Sequence, residues 1–146
     1  MLAACLVIAA ATAAQALIAQ ALGSAWWVPQ LAVVALVRQI SRRPRAWLSF
    51  AVVAAASLMV LVLRWPGALV LWLVACAGAW RAAMWCWNVE DPRLQAAAAG
   101  LAAGALIFIS AAFDRAVSWP LLALAVWQAV ITAGCAAAWA AAQPQP

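Results

Sequence analysis

The chain alternates between long apolar segments and short breaks that contain proline, glycine or charged residues. A membrane-spanning helix needs about 20 mostly apolar residues, with a range of about 17–25. Divided at its breaks, the sequence contains six segments of helical character. The predicted helices cover residues 2–22, 28–40, 47–63, 67–87, 94–113 and 120–142, and a polar tail follows at 143–146. The pattern therefore predicts one all-α domain, a bundle of about six transmembrane helices.

The composition indicates a lipid environment. Of the 146 residues, 72% are hydrophobic and 8% are charged, and the mean hydropathy is +1.08. Typical soluble domains are about 45–50% apolar and about 25% charged. A soluble fold of this length has too little interior to bury so much apolar surface. These numbers exclude a soluble enzyme, a secreted disulfide-bonded domain and a nucleic-acid-binding domain, so membrane lipids and other membrane proteins are the expected partners.

The charged residues predict the orientation of the chain. All eight basic residues are arginines, and the loop between the second and third helices contains Arg42, Arg43 and Arg45. Arginines next to membrane helices mark the cytoplasmic side and contact anionic lipid. If this loop is cytoplasmic, six arginines lie on that side and two, Arg64 and Arg115, on the other. The bias predicts that both termini are cytoplasmic.

The positions of the tryptophans agree with the predicted orientation, because indole rings favour the headgroup level of a bilayer. We expect two belts of interfacial anchors. The outer belt consists of Trp26, Trp27, Trp65 and Trp119, and the inner belt includes Trp47, Trp85 and Trp87.

The sequence shows no catalytic or metal-binding pattern. Histidine is absent, and the four cysteines form no CxxC pair, so the usual general base and metal ligands are missing. Trp72, Cys76 and Trp80 form a helical stripe that could stack on a quinone or pigment, but without a polar anchor we interpret it as core or lipid-facing surface. We predict neither an enzyme nor a cofactor protein.

Two groups of residues are candidates for helix packing or partner binding. Gly100 and Gly104 form a GxxxG motif, which allows two helix backbones to approach closely; the neighbour is either in this chain or in a partner. Gln128 and Thr132 share a face of the sixth helix. Further polar residues lie in or beside the first two helices: Thr12, Gln15, Gln20 and Gln30. They serve either as hydrogen-bonding groups between helices or as a ligand-facing patch.

The order of these features resembles the MreD family, small membrane subunits of the bacterial cell-elongation machinery. The resemblance covers about residues 10–140 and is carried by Gln20, Pro29-Gln30, the basic loop Arg42 to Arg45, Pro66-Gly67, Glu90-Asp91, Leu94-Gln95, Pro120 and Gln128. The sequence departs from the family pattern at Gln30, where Asp or Asn is usual, and at residues 54–57, where a glycine-rich stretch is usual.

The resemblance implies a fold similar to the substrate-binding S-components of energy-coupling-factor transporters. It also implies a non-catalytic scaffold in the bacterial inner membrane that binds MreC and helps to position RodA and its transpeptidase in peptidoglycan synthesis, and so affects cell shape. Two alternatives remain open. The chain could be a small-molecule-binding subunit of a transporter, with Gln20, Gln30 and the Trp26-Trp27 turn at its pocket, or an accessory subunit of a respiratory or photosynthetic complex.

Overall fold

The computed structural model describes residues 1–23, 27–61, 66–86, 91–113 and 118–142. Over these residues the chain is entirely helical apart from turns, and no β-strand occurs among them. The helices are α1 (Leu2–Ala21), α2 (Leu31–Arg42), α3 (Trp47–Leu61), α4 (Pro66–Ala83), α5 (Pro92–Phe113) and α6 (Trp119–Ala141), with a 3₁₀ turn at Pro44–Ala46. The prediction of an all-α chain with six helices is confirmed.

Within the described residues, three helices are long and apolar enough to cross a membrane by themselves. They are Leu2–Ala21, the segment Pro92–Ile109 of α5, and Trp119–Ala141. Two shorter apolar segments, Pro44–Leu58 and Val70–Ala83, accompany them. The chain is therefore a helical membrane protein.

Proline and glycine set several helix boundaries. Pro66 and Pro92 stand at the first positions of α4 and α5, where proline loses no helical hydrogen bond. Gly23, with φ of 64°, follows the end of α1, and its N–H bonds to the Gln20 carbonyl. Helix α2 begins at Leu31, three residues later than predicted, because residues 28–30 are not helical. The fourth helix ends at Ala83 and residues 84–86 form a turn, so it is shorter than the predicted range to residue 87. The predicted end at residue 63 and the tail 143–146 lie outside the described residues.

Helix α2 forms the centre of the bundle. Six consecutive residues, Ala32–Val37, are buried, and so are Gln39 and Ile40. The helix contacts all five other α-helices. Its 12 residues extend only about 18 Å, whereas the hydrocarbon core of a bilayer is about 30 Å thick. Because α2 is shorter than the membrane and enclosed by protein, its N-terminal end must find polar partners inside the bundle.

The closest helix pair is formed by α5 and α6. A Cβ atom on Gly100 would lie 2.7 Å from the Ala129 carbonyl oxygen, and one on Gly104 would lie 3.0 Å from the Ala125 carbonyl oxygen. Only glycine allows the two backbones to approach this closely. The GxxxG motif therefore packs against α6 of the same chain.

We predict that Gly100→Ala destabilises the bundle, because the added methyl group must push α6 away. Overpacking of this kind typically costs about 1–3 kcal/mol. The measurement is the free energy of unfolding, from titration with a denaturing detergent in mixed micelles. The matched control is Gly134→Ala in α6, where a Cβ atom would meet nothing within 4 Å. Equal stability of the two variants would contradict the α5–α6 packing.

Candidate functional site

All six arginines that the structure describes lie at one end of the bundle. The Trp80 Nε1–H donates to Ser41 Oγ at 3.0 Å, so α4 and α2 end side by side. The Trp47 ring lies 3.7 Å from the Cβ position of Gly78, which places the start of α3 there as well. A small pocket shared by Arg38, Gln95 and Trp139 adds the start of α5 and the end of α6.

We call this region the basic end. Its arginines are Arg38, Arg42, Arg43, Arg45, Arg81 and Arg93. Arg42, Arg43 and Arg45 are exposed, as expected for residues that contact lipid headgroups. The other two arginines, Arg64 and Arg115, lie outside the described residues. The six arginines that the sequence analysis assigned to one side therefore share one end of the fold.

At the opposite end of α2, four polar side chains meet inside the bundle. Gln15 Nε2 donates to Gln30 Oε1 at 2.8 Å, and Gln15 Oε1 accepts the Ala32 backbone N–H at 3.3 Å. The Gln30 backbone N–H donates to Thr132 Oγ1 at 3.1 Å. Gln128 Nε2 donates to the Val28 carbonyl at 3.3 Å. We refer to Gln15, Gln30, Gln128 and Thr132 as the polar cluster.

The polar cluster satisfies backbone groups that have no helical partner. The first N–H groups of any helix lack a partner within that helix, and here side chains of α1 and α6 accept two N–H groups at the start of α2. Val28 is 1% exposed and not helical, and its carbonyl is bonded by Gln128. Irregular backbone at membrane depth is tolerated only where it is buried in protein or lines an aqueous cavity. The cluster therefore holds α1, α2 and α6 together.

The structure brings together only part of the predicted polar set. Gln30, Gln128 and Thr132 are members of the cluster, whereas Gln20 is exposed on α1 and Gln15 is the residue that reaches α2. In the structure Gln15 continues the buried face of Ala4, Ile8 and Thr12 on α1, a face that the packing of the helix identifies and the sequence alone does not. Thr12 itself donates to the Ile8 carbonyl at 2.8 Å and so stays within α1.

A lateral cleft separates α4 from α5, and its floor is α2. The cleft has a volume of about 490 Å³ and an almost entirely apolar lining. Leu36 and Ile40 belong to the floor, Cys76 to the α4 wall, and Ala98 and Leu101 to the α5 wall. The larger side chains of α2 keep α4 and α5 apart, and the alanine side chains of α5 are too short to fill the space between them.

The stripe of Trp72, Cys76 and Trp80 lines this lateral cleft along α4. The Trp72 indole nitrogen is buried and finds no acceptor within hydrogen-bond distance among the residues that the structure describes. A buried N–H without an acceptor is unfavourable, so Trp72 contributes to the cleft through its ring rather than through a hydrogen bond. The stripe therefore borders the cleft and also belongs to the core, because Trp80 is buried and Cys76 packs against the buried residues.

The described tryptophans of the predicted outer belt do not share one level. Trp119 stands at the start of α6 and is 84% exposed. Trp27 packs edge-to-face on Trp127 with ring centroids 5.5 Å apart, and Trp127 lies eight residues further along α6, about 12 Å from Trp119. At the basic end, Trp47 is half-buried and Trp85 lies under the Arg81 guanidinium, 5.7 Å from the ring centroid. Trp26, Trp65 and Trp87 lie outside the described residues.

Metal chemistry finds no support in the described part of the chain. No group of three His, Cys, Asp or Glu side chains that could hold a metal ion occurs there. The four cysteines are free thiols on α1, on α4 and the turn after it, and on α6.

The fold and the site together define a helical membrane protein with an internal polar cluster, a basic end and a lateral apolar cleft. Comparisons with protein-family models, with curated proteins and with solved structures find no match. The interpretation of function therefore rests on the residues and their arrangement.

We predict that Gln15→Leu destabilises the bundle by about 1–2 kcal/mol, since it leaves the Ala32 N–H and the Gln30 side chain without their acceptor and donor. The free energy of unfolding in mixed micelles measures the effect, and a double-mutant cycle with Gln30→Leu is expected to show coupling between the two residues. Gln20→Leu is the matched control, because Gln20 is exposed on the same helix. Additive effects of the two cluster substitutions would refute the hydrogen-bonded arrangement.

Proposed function

We propose that the chain is a non-catalytic scaffold subunit that binds partner membrane proteins in the bacterial inner membrane. Following the MreD resemblance, its partners are MreC, RodA and the associated transpeptidase, and its role is in cell elongation and peptidoglycan synthesis. The observation that carries the proposal is the polar cluster. Its described hydrogen bonds join α1, α2 and α6 to one another, so they support the architecture of the bundle.

The arrangement of the same residues gives less support to a transporter subunit that binds a polar small molecule. That hypothesis requires polar groups that converge on a pocket at the outer side. Gln30 is instead bonded to Gln15 and Thr132, and Gln20 is exposed on α1. The large cleft lies between α4 and α5 and is apolar. An accessory subunit of a respiratory or photosynthetic complex differs from the scaffold in its partners, so the test below separates the two.

Our proposed topology has six membrane passages, both termini in the cytoplasm, and an arrangement similar to an energy-coupling-factor S-component. Its support is the basic end, because cytoplasmic surfaces of membrane proteins are enriched in arginine and lysine. Helix α2 covers the distance from the polar cluster to this end, and the irregular segment at residues 27–30 completes its passage.

Cysteine accessibility tests the topology. In a variant whose four native cysteines are replaced, Arg43→Cys is expected to react with an impermeant maleimide only after the membrane is opened, whereas Ser118→Cys reacts in intact cells. Both residues are exposed, so burial does not limit either reaction. Labelling of both positions from the same side would overturn the topology.

Capture of the native complex tests the function. We expect the tagged chain, extracted in mild detergent or nanodiscs, to recover MreC, RodA and a transpeptidase, as identified by mass spectrometry. Depletion of the protein is expected to convert rod-shaped cells to round ones. Recovery of an ATPase or of cofactor-bearing subunits in their place would replace the proposal with the transporter or the energy-transducing complex.

A matched pair of baits controls for nonspecific adhesion. Gly134→Ala leaves the bundle intact and is expected to recover the same partners as the unmodified chain, because a Cβ atom there has open space. Gly100→Leu disrupts the α5–α6 contact, so specific partners are expected to be lost. Proteins that bind both baits equally recognise exposed apolar surface and are discounted.

A further inference from the structure

We infer that the lateral cleft between α4 and α5 binds one acyl chain of an anionic phospholipid, with the lipid headgroup at the basic end beside Arg93. This inference goes beyond the scaffold proposal and does not depend on which partner proteins the chain binds.

The size of the cleft favours a single hydrocarbon chain over a transmembrane helix as its occupant. A 20-residue helix is about 30 Å long and at least about 10 Å wide, which corresponds to about 2,400 Å³. The cleft offers about 490 Å³, which lies within the range of about 300–1,000 Å³ that small-molecule pockets have. One hydrocarbon chain therefore fits the space, and a transmembrane helix of a partner does not enter it.

The lining suits hydrocarbon. Leu36, Ile40 and Leu73 are each at most 2% exposed and form the inner part of the cleft. On the opposite side Leu101 is 73% exposed and also lines the cleft, so the space opens sideways at the surface of the bundle. An open apolar space at the surface of a membrane protein faces lipid, and an acyl chain brings no polar group of its own into it.

The charges at one end of the cleft select the headgroup. Arg93, Ala97 and Leu101 follow one another at four-residue spacing on α5, and the last two line the cleft. Arg93 is exposed and stands one helical turn beyond Ala97. A phospholipid whose acyl chain lies along this row therefore places its headgroup near the Arg93 guanidinium.

Other charges surround the same place. On α4, Arg81 follows the cleft residue Trp80 directly, and Arg43 follows the end of α2. Asp91 is the described acid nearby, and one of its carboxylate oxygens accepts the Arg93 backbone N–H at 2.8 Å. Arginines outnumber acids among the described residues here, and basic pockets between transmembrane helices on the cytoplasmic side bind anionic headgroups.

Native mass spectrometry of the delipidated full chain, titrated with phosphatidylglycerol or with phosphatidylcholine of the same acyl chains, tests the inference. We expect the anionic lipid to bind about fivefold more tightly, the preference that one arginine near the membrane surface supplies. Arg93→Gln, a substitution at an exposed position, is expected to reduce this preference, because Arg81 and Arg43 remain nearby. Equal binding of the two lipids by the unmodified chain would overturn the headgroup assignment.

The position of the lipid acyl chain in the cleft is tested separately. Ala98→Phe fills the cleft and is expected to weaken binding of both lipids about tenfold, whereas Ala137→Phe, on an exposed position of α6, leaves binding unchanged. Phosphatidylglycerol that is brominated in its acyl chains quenches the fluorescence of nearby tryptophans. Trp72→Phe is expected to remove part of this quenching, because the Trp72 ring lines the cleft. The substitution removes no described hydrogen bond, because the Trp72 N–H has no described acceptor. Trp119→Phe is the control at an exposed site.

The outcomes distinguish a lipid from other occupants. Full quenching in Trp72→Phe, or unchanged lipid binding in Ala98→Phe, overturns the assignment of the cleft. Loss of captured partner proteins in Ala98→Phe, with lipid binding retained, replaces the lipid by a protein segment. Failure to capture MreC and RodA leaves the lipid measurements unaffected, so the two proposals fail independently.

Discussion

The structure depends on the need to satisfy backbone polar groups inside a membrane. Helix α2 is buried along nearly its whole length, and the irregular segment before it is buried at Val28. Water is not available at this depth, and each unsatisfied backbone group costs several kcal/mol. Gln15 and Thr132 accept the N–H groups of Ala32 and Gln30. These bonds fix where α1 and α6 stand relative to α2.

The size of the side chains determines how closely the remaining helices pack around α2. On one face of α5, Gly100 and Gly104 let the α6 backbone approach to contact. On another face, alanines and Leu101 border the cleft towards α4. The same alanine-rich helix thus forms a tight pair where its neighbour is equally slender, and leaves a gap where α2 holds α4 at a distance. Dispersion contacts drive the first arrangement, and lipid is available to fill the second.

The proposed function depends on which side chains remain exposed at the surface of the bundle. The amides at membrane depth bond within the bundle, so the outward surface presents apolar side chains, tryptophan rings and the arginines of the basic end. In the proposed function, this surface contacts other membrane proteins and lipids through shape and charge. The proposals of a scaffold role and of a bound anionic lipid use different parts of it, the first the outer helix faces and the second the α4–α5 cleft.

The sequence by itself determined the class of the fold. Apolar segments separated by breaks such as Pro44, Pro66 and Pro92 predict helices whose number agrees with the structure, because hydropathy and proline act locally along the chain. It also grouped six arginines on one side, since helix alternation follows from counting segments. All four members of the polar cluster stood out in the sequence as amides or a hydroxyl in apolar surroundings, but so did Thr12 and Gln20, which do not belong to it.

The tertiary structure decided the partners of those residues. Gln15, rather than Gln20, reaches α2, because rotation of α1 about its axis is set by packing and not by local sequence. It also decided that the GxxxG motif faces α6, and that Trp72, Cys76 and Trp80 border a cleft beside the core. In a chain with so much alanine, many helix faces are nearly equivalent in sequence. Only the three-dimensional match of side-chain sizes distinguishes a face that packs from one that stays open.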